Sequence, residues 1–240
     1  RSTLYILLLS LVLIQSSCNS SDKDKRKISI GFSQSVGDDI WRKSMNHAME
    51  VEASLHPEVN LTIYNAGDLA KKQISDVEKF ISSKVDVIII SPFESDSIVP
   101  VIEKAQSRGI PVIMVDRKAN TSNYTTYLGA DNIEVGQLAG KHIVSLSKGL
   151  ANVIEINGDY STSPGIERSQ GFKQIVNQYP GIKVYTVNSD HYEHPHARFS
   201  KLLDSLESVD YVYSFNDVIA YNAWKIVKKK GLNKKIKFIG

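Results

Sequence analysis

The chain has 240 residues, 42% of them apolar and 23% charged, with 29 basic residues against 26 acidic ones and a net charge of +3. This composition excludes a disordered chain. The near-balance of charge, with the basic excess gathered in short runs at 23–27 and 228–237, excludes the broad basic stripe of a nucleic-acid-binding protein.

Residues 4–14 form an apolar run preceded by Arg1 and broken only by Ser10. The run is too short to cross a bilayer, which takes about 20 apolar residues, and it matches the hydrophobic core of an export signal. Ser16, Ser17 and Cys18 follow, then a polar spacer at 19–27. The expected organisation is an export segment at 1–18 and a linker at 19–27, which places the rest of the chain in the periplasm, associated with a membrane. Cys18 is a lipidation candidate, although Gln15 stands where the lipoprotein pattern prefers Leu; an uncleaved anchor is the alternative. As the only cysteine, Cys18 leaves no disulfide framework, zinc cluster or redox pair.

From residue 28 onward, short apolar runs alternate with helical patterns. A strand is expected at 28–32. Asp38 and Asp39 offer an N-cap for a helix with Trp41, Met45, Ala48 and Leu55 on one face, and His56-Pro57 ends it. A strand at 61–64 is followed by a helix striped with Ala70, Ile74, Val77 and Ile81. Residues 85–90 are almost continuously apolar and β-branched, the signature of a strand covered on both faces. A helix with Ile98, Ile102 and Ala105 stops at Gly109, and Pro111 opens a strand at 112–115. This βαβαβαβ run implies a parallel sheet with right-handed crossovers.

The alternation resumes after Gly129. A helix carrying Val135, Ala139, His142 and Leu146 precedes a strand at 153–156. The next helix shows Phe172, Ile175, Val176 and Tyr179. A strand at 184–187, a helix at 199–206, a strand at 211–213, a helix at 219–227 and a strand at 236–239 complete the series. The fold class expected is α/β, as two Rossmann-like, doubly wound domains at 28–130 and 131–240. In such sheets ligands bind beyond the carboxyl ends of the strands. Those ends deliver Ser33, Gln34, Ser91, Asp116 and Arg117 in the first half, and Asn157, Asn216 and Asp217 in the second. Two polar edges facing each other form a polar cleft.

Five segments carry a family resemblance: ISIGFSQSVGDDIW at 28–41, VIIISP at 87–92, GIPVIMVDR at 109–117, GADN at 129–132 with Gly136, and ERSQGF at 167–172 together with FND at 215–217. In these the chain resembles the type I periplasmic sugar-binding proteins of the ribose- and galactose-binding group, which implies that the two doubly wound domains form a fold of the periplasmic-binding type I, the second domain truncated with its C-terminal part missing. The variants DDIWR at 38–42 and DRK at 116–118 look most like the sensor domains of hybrid two-component histidine kinases. The resemblance implies a sugar site walled by Asp38, Trp41, Arg42, Ser91, Asp116 and Arg117 on one domain and by Arg168 and Asn216 on the other. His191 or Tyr192 would supply an opposing ring, with Tyr192 the leading candidate. A monosaccharide needs planar charged groups for its hydroxyls and an aromatic platform for its C–H face, and these residue types meet that need.

Each assignment has a plainer competitor. Trp41 also falls on an apolar helical stripe, Asp116 and Arg117 make an ordinary loop ion pair, Arg168 suits any exposed helix start, and Asn216 suits a helix cap. Relatives of this type carry a further strand-end aspartate and closing elements past the position of Gly240. No phosphate loop, nucleophile elbow or catalytic pair stands out, so binding without chemistry is expected, with no cofactor. His191, His194 and His196 fit no metal site. The expected partners are a monosaccharide and either a second copy of the chain, in a sensor, or an ABC permease, in transport. A LacI-type regulator core is the third reading, disfavoured by the apolar segment where a DNA-reading module would stand.

Overall fold

The computed structural model describes residues 26–36, 39–189, 195–232 and 235–240. Among them, nine strands form two all-parallel sheets. The first has the order β2-β1-β3-β4-β5, with β1 at Ile28–Gln34, β2 at Val59–Asn65, β3 at Val87–Ile90, β4 at Val112–Val115 and β5 at Thr126–Leu128. The second has the order β7-β6-β8-β9, with β6 at Ala151–Asp159, β7 at Ile182–Ser189, β8 at Tyr211–Ser214 and β9 at Lys237–Ile239. The helices are α1 (Ile40–Ser54), α2 (Ala70–Ser82), α3 (Val99–Ser107), α4 (Asn132–Ser147), α5 (Ser163–Val176), α6 (His196–Ser205) and α7 (Asp217–Lys229).

The alternation of apolar runs and helical stripes produces this architecture directly. Ile88 and Ile90 of β3 and Val112 and Met114 of β4 pack against Val77, Phe80 and Ile81 of α2, Val101 and Ile102 of α3, and Ile98 just before α3. In the second half Ile154, Ile156 and Val212 meet Phe199 and Leu203 of α6 and Ala223 and Val227 of α7. A separate cluster joins Ile143 of α4, Val153 of β6 and Phe172 and Val176 of α5. Strand β5 was not expected; three residues, pairing Ile113 with Thr126 through Val115 with Leu128, are too few to leave a periodic signal.

Two helices turn a different face inward from the one their apolar residues predict. In α1 the expected stripe of Trp41, Met45, Ala48 and Leu55 is rotated by one residue: Trp41 is 54% and Leu55 68% exposed, Ala48 is exposed, and Arg42 is buried. The polar ends of the strands, described below, hold Arg42 and set the rotation. In α4, Val135 and Leu146 are exposed, and the buried face is Asn132, Gly136, Ala139, Gly140 and Ile143. Here glycine makes the contact. A Cβ on Gly136 would lie 2.1 Å from the carbonyl oxygen of Arg168, and one on Gly171 would lie 2.0 Å from that of Ile133. The backbones of α4 and α5 therefore touch.

The strand orders locate the functional edge. In both sheets the chain leaves its first strand toward one side and later returns to the other, so β1/β3 and β6/β8 bound the topological switch points where crevices open. The carboxyl ends there are Gln34 and Ser91 in the first sheet, and Asp159 and Asn216 in the second.

Candidate ligand-binding cleft

At the first crevice Asp39 caps α1, its Oδ1 accepting from the backbone N–H of Arg42 at 2.9 Å. That cap starts the helix so that Arg42 points down into the strand ends. Its Nη1 donates to Gln34 Oε1 at 2.8 Å and to Ser91 Oγ at 2.9 Å, and its Nη2 donates to Asp116 Oδ2 at 2.8 Å. The Arg42 side chain is 6% exposed, that of Asp116 24%. Gln34 is itself fixed, since its Nε2 donates to Asn46 Oδ1 at 3.0 Å and its Oε1 also accepts from the Ser35 N–H. A buried guanidinium is stable only with such partners, and here they come from β1 and from the residues that follow β3 and β4.

Asp116 stands in the left-handed region at φ 66°, unusual for a residue with a side chain. The surroundings hold it there. Its N–H donates to Leu128 O at 2.9 Å, and its carbonyl accepts from the Tyr127 hydroxyl at 3.1 Å. Arg117 turns the other way, toward Phe93 O at 3.2 Å and Pro92 O at 3.4 Å. Burial, with the charge of Arg42 adding to it, brings the Arg117 pKa down to about 10; Asp116, Asp159 and Asp39 act against that. Arg117 thus remains a cation at neutral pH. Asp159 stands at the end of β6, so the second sheet's edge already contributes to the electrostatics of the first. Trp41 lies beside the cluster, with its ring 5.4 Å from the Arg42 guanidinium carbon.

The second crevice is simpler. Arg168 on α5 donates from Nε to Asn132 Oδ1 at 2.9 Å and from Nη1 to Phe215 O at 2.8 Å, with its guanidinium carbon 4.6 Å from the Phe215 ring centre. Asn216 caps α7, its Oδ1 accepting from the Ile219 N–H at 2.9 Å. The cap uses the carbonyl oxygen and leaves the amide NH2 with hydrogens to donate.

The structure therefore brings Trp41, Arg42, Ser91, Asp116 and Arg117 together at one sheet edge, and Arg168 and Asn216 at the other. Asp38, Tyr192 and Cys18 lie outside the described residues. Three further residues complete the constellation: Gln34, read above as a polar strand end, holds Arg42, while Asn132 and Phe215, which hold Arg168, were not selected from the sequence. Asn132 and Phe215 each stand within a motif segment quoted above, which was the available signal.

A family model described as periplasmic binding protein domain matches residues 30–240. The chain belongs to the type I periplasmic sugar-binding protein family. It is 30% identical over 238 residues to the ribose import binding protein of Bacillus subtilis, covering 94% of this chain and 76% of that protein. It is 28% identical over 233 residues to the galactofuranose-binding protein of Escherichia coli, covering 93% of this chain and 73% of that protein. Among solved structures it is similar to the fructose-binding periplasmic domain of a hybrid two-component system, with 38% identity and a TM-score of 0.83, covering 89% of this chain and 71% of that one. These relatives are sugar-binding proteins rather than enzymes, and membership implies an extracytoplasmic location. No helix among the described residues is long and apolar enough to cross a membrane.

The hydroxyl that supports Asp116 has a measurable signature. Burial, followed by the charges of Glu167 and Asp116, pushes the Tyr127 pKa up to about 12. A phenol raised in the folded state keeps its proton while the unfolded chain loses its own near pH 10. The resulting stability is present below about pH 10 and falls as pH rises toward about 12. Chemical denaturation of the wild type and of Tyr127→Phe across pH 9–12 is expected to show a steeper alkaline loss in the wild type.

Proposed function

We propose that this chain binds a monosaccharide of the ribose, galactofuranose or fructose class between the edges of its two sheets, and that its halves, 28–130 and 131–240, close on the sugar about a hinge. The observation that carries the reading is the buried Arg42–Gln34–Ser91–Asp116 network at the β1/β3 switch point. It holds a carboxylate in place beside a second cation, Arg117, and an exposed ring, Trp41. This is the complement a sugar requires: a fixed acceptor and donors for paired hydroxyls, each charged hydrogen bond contributing about 1.5–3 kcal/mol, and an aromatic face for C–H groups. Arg42 chiefly orients Asp116. Arg168 and Asn216 supply donors from the other wall, with Asp38 and Tyr192 as further contacts. The residues form a binding constellation.

The output proposed is signalling. The likeness to the periplasmic domain of a hybrid two-component system supports an input domain whose parent is a histidine kinase, anchored at the membrane and dimerising when sugar binds. The ribose import relative supports a second reading, a solute-binding component delivering sugar to an ABC permease, tethered through Cys18. Analytical ultracentrifugation with and without sugar separates the two: a sugar-dependent dimer favours the sensor, and a monomer in both states favours transport.

The sugar assignment is tested by thermal shift of the intact protein with D-ribose, D-fructose, D-galactose and L-arabinose. One or more is expected to raise Tm, and no stabilisation by any of them would sink the reading. Replacing Trp41 by Ala is expected to weaken the best sugar at least tenfold, about 1.4 kcal/mol, with little change in Tm because the ring is 54% exposed. Unchanged affinity by calorimetry would remove Trp41 from the site.

A further inference from the structure

Beside the cleft, the two halves meet along a seam in which none of the proposed sugar contacts takes part. Lys118, on the first half, donates from Nζ to Glu167 Oε1 on α5 at 2.9 Å, and its backbone N–H donates to Ser163 Oγ at 2.8 Å. The backbone N–H of Ser95 donates to Ser161 O at 2.9 Å. The seam is braced on both sides. Ser95 Oγ donates to Lys118 O at 3.0 Å, and the Lys118 ammonium lies 4.8 Å from the centre of the Tyr127 ring. On the second half, Asn132 Nδ2 approaches the other oxygen of Glu167 at 3.4 Å. A groove of about 320 Å3 runs along it, lined by Ser95, Lys118, Asn120, Ser161, Ser163 and Glu167 among others.

We infer that Lys118 and Glu167 are a positioning pair: a latch that holds the two halves closed and thereby sets how tightly the sugar is retained. Chain neighbourhood makes the coupling. Lys118 directly follows Arg117, and Glu167 directly precedes Arg168, so each latch partner is one residue from an arginine proposed to face the ligand. Moving the halves apart breaks the Lys118–Glu167 pair and separates the two arginines in one motion. Asn132 extends the link, since it touches both Glu167 and Arg168. The pair is partly shielded, with side chains 34% and 19% exposed, so it is screened less by salt than a fully exposed pair. A ligand that binds the closed arrangement has its apparent affinity reduced in proportion to the fraction of molecules that are open. The latch raises the closed fraction before any sugar arrives.

This inference rests on the sugar-cleft reading for its purpose, but its test needs no sugar. Amide hydrogen exchange of the sugar-free intact protein reports the closed state through the Ser95 and Lys118 N–H groups, which donate across the seam. Glu167→Gln removes the charge from the opposite side and leaves both reporters untouched in sequence. It is expected to speed exchange at Ser95 and Lys118 about two- to fivefold, with exchange in β4 unchanged, which a general loss of stability would not leave so. The charge-reversed double variant, Lys118→Glu with Glu167→Lys, is expected to restore slow exchange. Exchange at Ser95 in Glu167→Gln equal to wild type overturns the latch, as does failure of the double variant to restore it. With D-fructose or D-ribose present, Glu167→Gln is expected to bind sugar more weakly and to release it faster. A sugar panel without effect on the wild type would count against the cleft reading while the sugar-free exchange result still decided the latch.

Discussion

Replacing Asp116 by Ala is expected to abolish sugar binding and to destabilise the protein by about 3 kcal/mol or more. The cause lies in Arg42. Its side chain is 6% exposed, and Asp116 is its direct carboxylate partner, at 2.8 Å; Asp39 reaches its Nε only at 3.4 Å and is itself 47% exposed. Removing one member of a buried pair leaves an uncompensated charge, which costs about 3–5 kcal/mol. Arg117 suffers as well: burial and Arg42 already lower its pKa to about 10, and Asp116 is the first of the carboxylates opposing that shift. Backbone conformation adds to the effect. At φ 66° Ala is strained, whereas Asn enters the left-handed region more readily. Asp116→Asn keeps an acceptor for Arg42 and the backbone shape, and is expected to recover part of the stability but little of the binding. Urea denaturation and calorimetry on the two variants separate charge from conformation. An Asp116→Ala protein that binds sugar as the wild type does would remove the carboxylate from the proposed site.

Much of this cleft was legible in the sequence because strand ends are legible. An apolar run stops where a polar residue begins, and in a parallel sheet that stop is the ligand edge. Ser91 after the β3 run and Asp116-Arg117 after the β4 run were found this way, and each lies where the run indicated. Helix rotation was not legible in the same way. Apolar periodicity placed Trp41 inward, but the strongest local demand on α1 is polar: Gln34, Ser91 and Asp116 converge on one guanidinium, and satisfying it turns Trp41 outward. Nothing within α1 alone reports partners that lie 8, 49 and 74 residues away. The α4 face was hidden for another reason. Its contact surface is glycine, which a search for apolar stripes passes over. Asn132 and Phe215 were unselected because their roles are indirect: each holds Arg168, through a side-chain oxygen in one case and a backbone carbonyl and ring in the other.

Gly136→Ala tests whether that glycine contact positions the second wall. A Cβ there would lie 2.1 Å from Arg168 O, 2.7 Å from Phe172 N and 2.9 Å from Arg168 C, all backbone atoms that no rotamer change can move aside. Helices α4 and α5 must separate, and overpacking of this kind costs about 1–3 kcal/mol, partly offset by the better helix propensity of Ala. The displaced carbonyl belongs to Arg168, whose Nε bond to Asn132 spans the same two helices at 2.9 Å. Stability and affinity should therefore fall together, with sugar binding weakened at least tenfold. Gly140→Ala supplies the comparison. Its Cβ would meet the Ile175 side chain at 2.9 Å and Phe172 O at 3.1 Å, a looser contact one turn further from Arg168. It is expected to lower stability by less and to leave affinity nearly unchanged. Equal loss of affinity in the two variants would mean that helix spacing acts through general destabilisation. A loss confined to Gly136→Ala would show that the α4–α5 contact sets the position of Arg168 in the cleft.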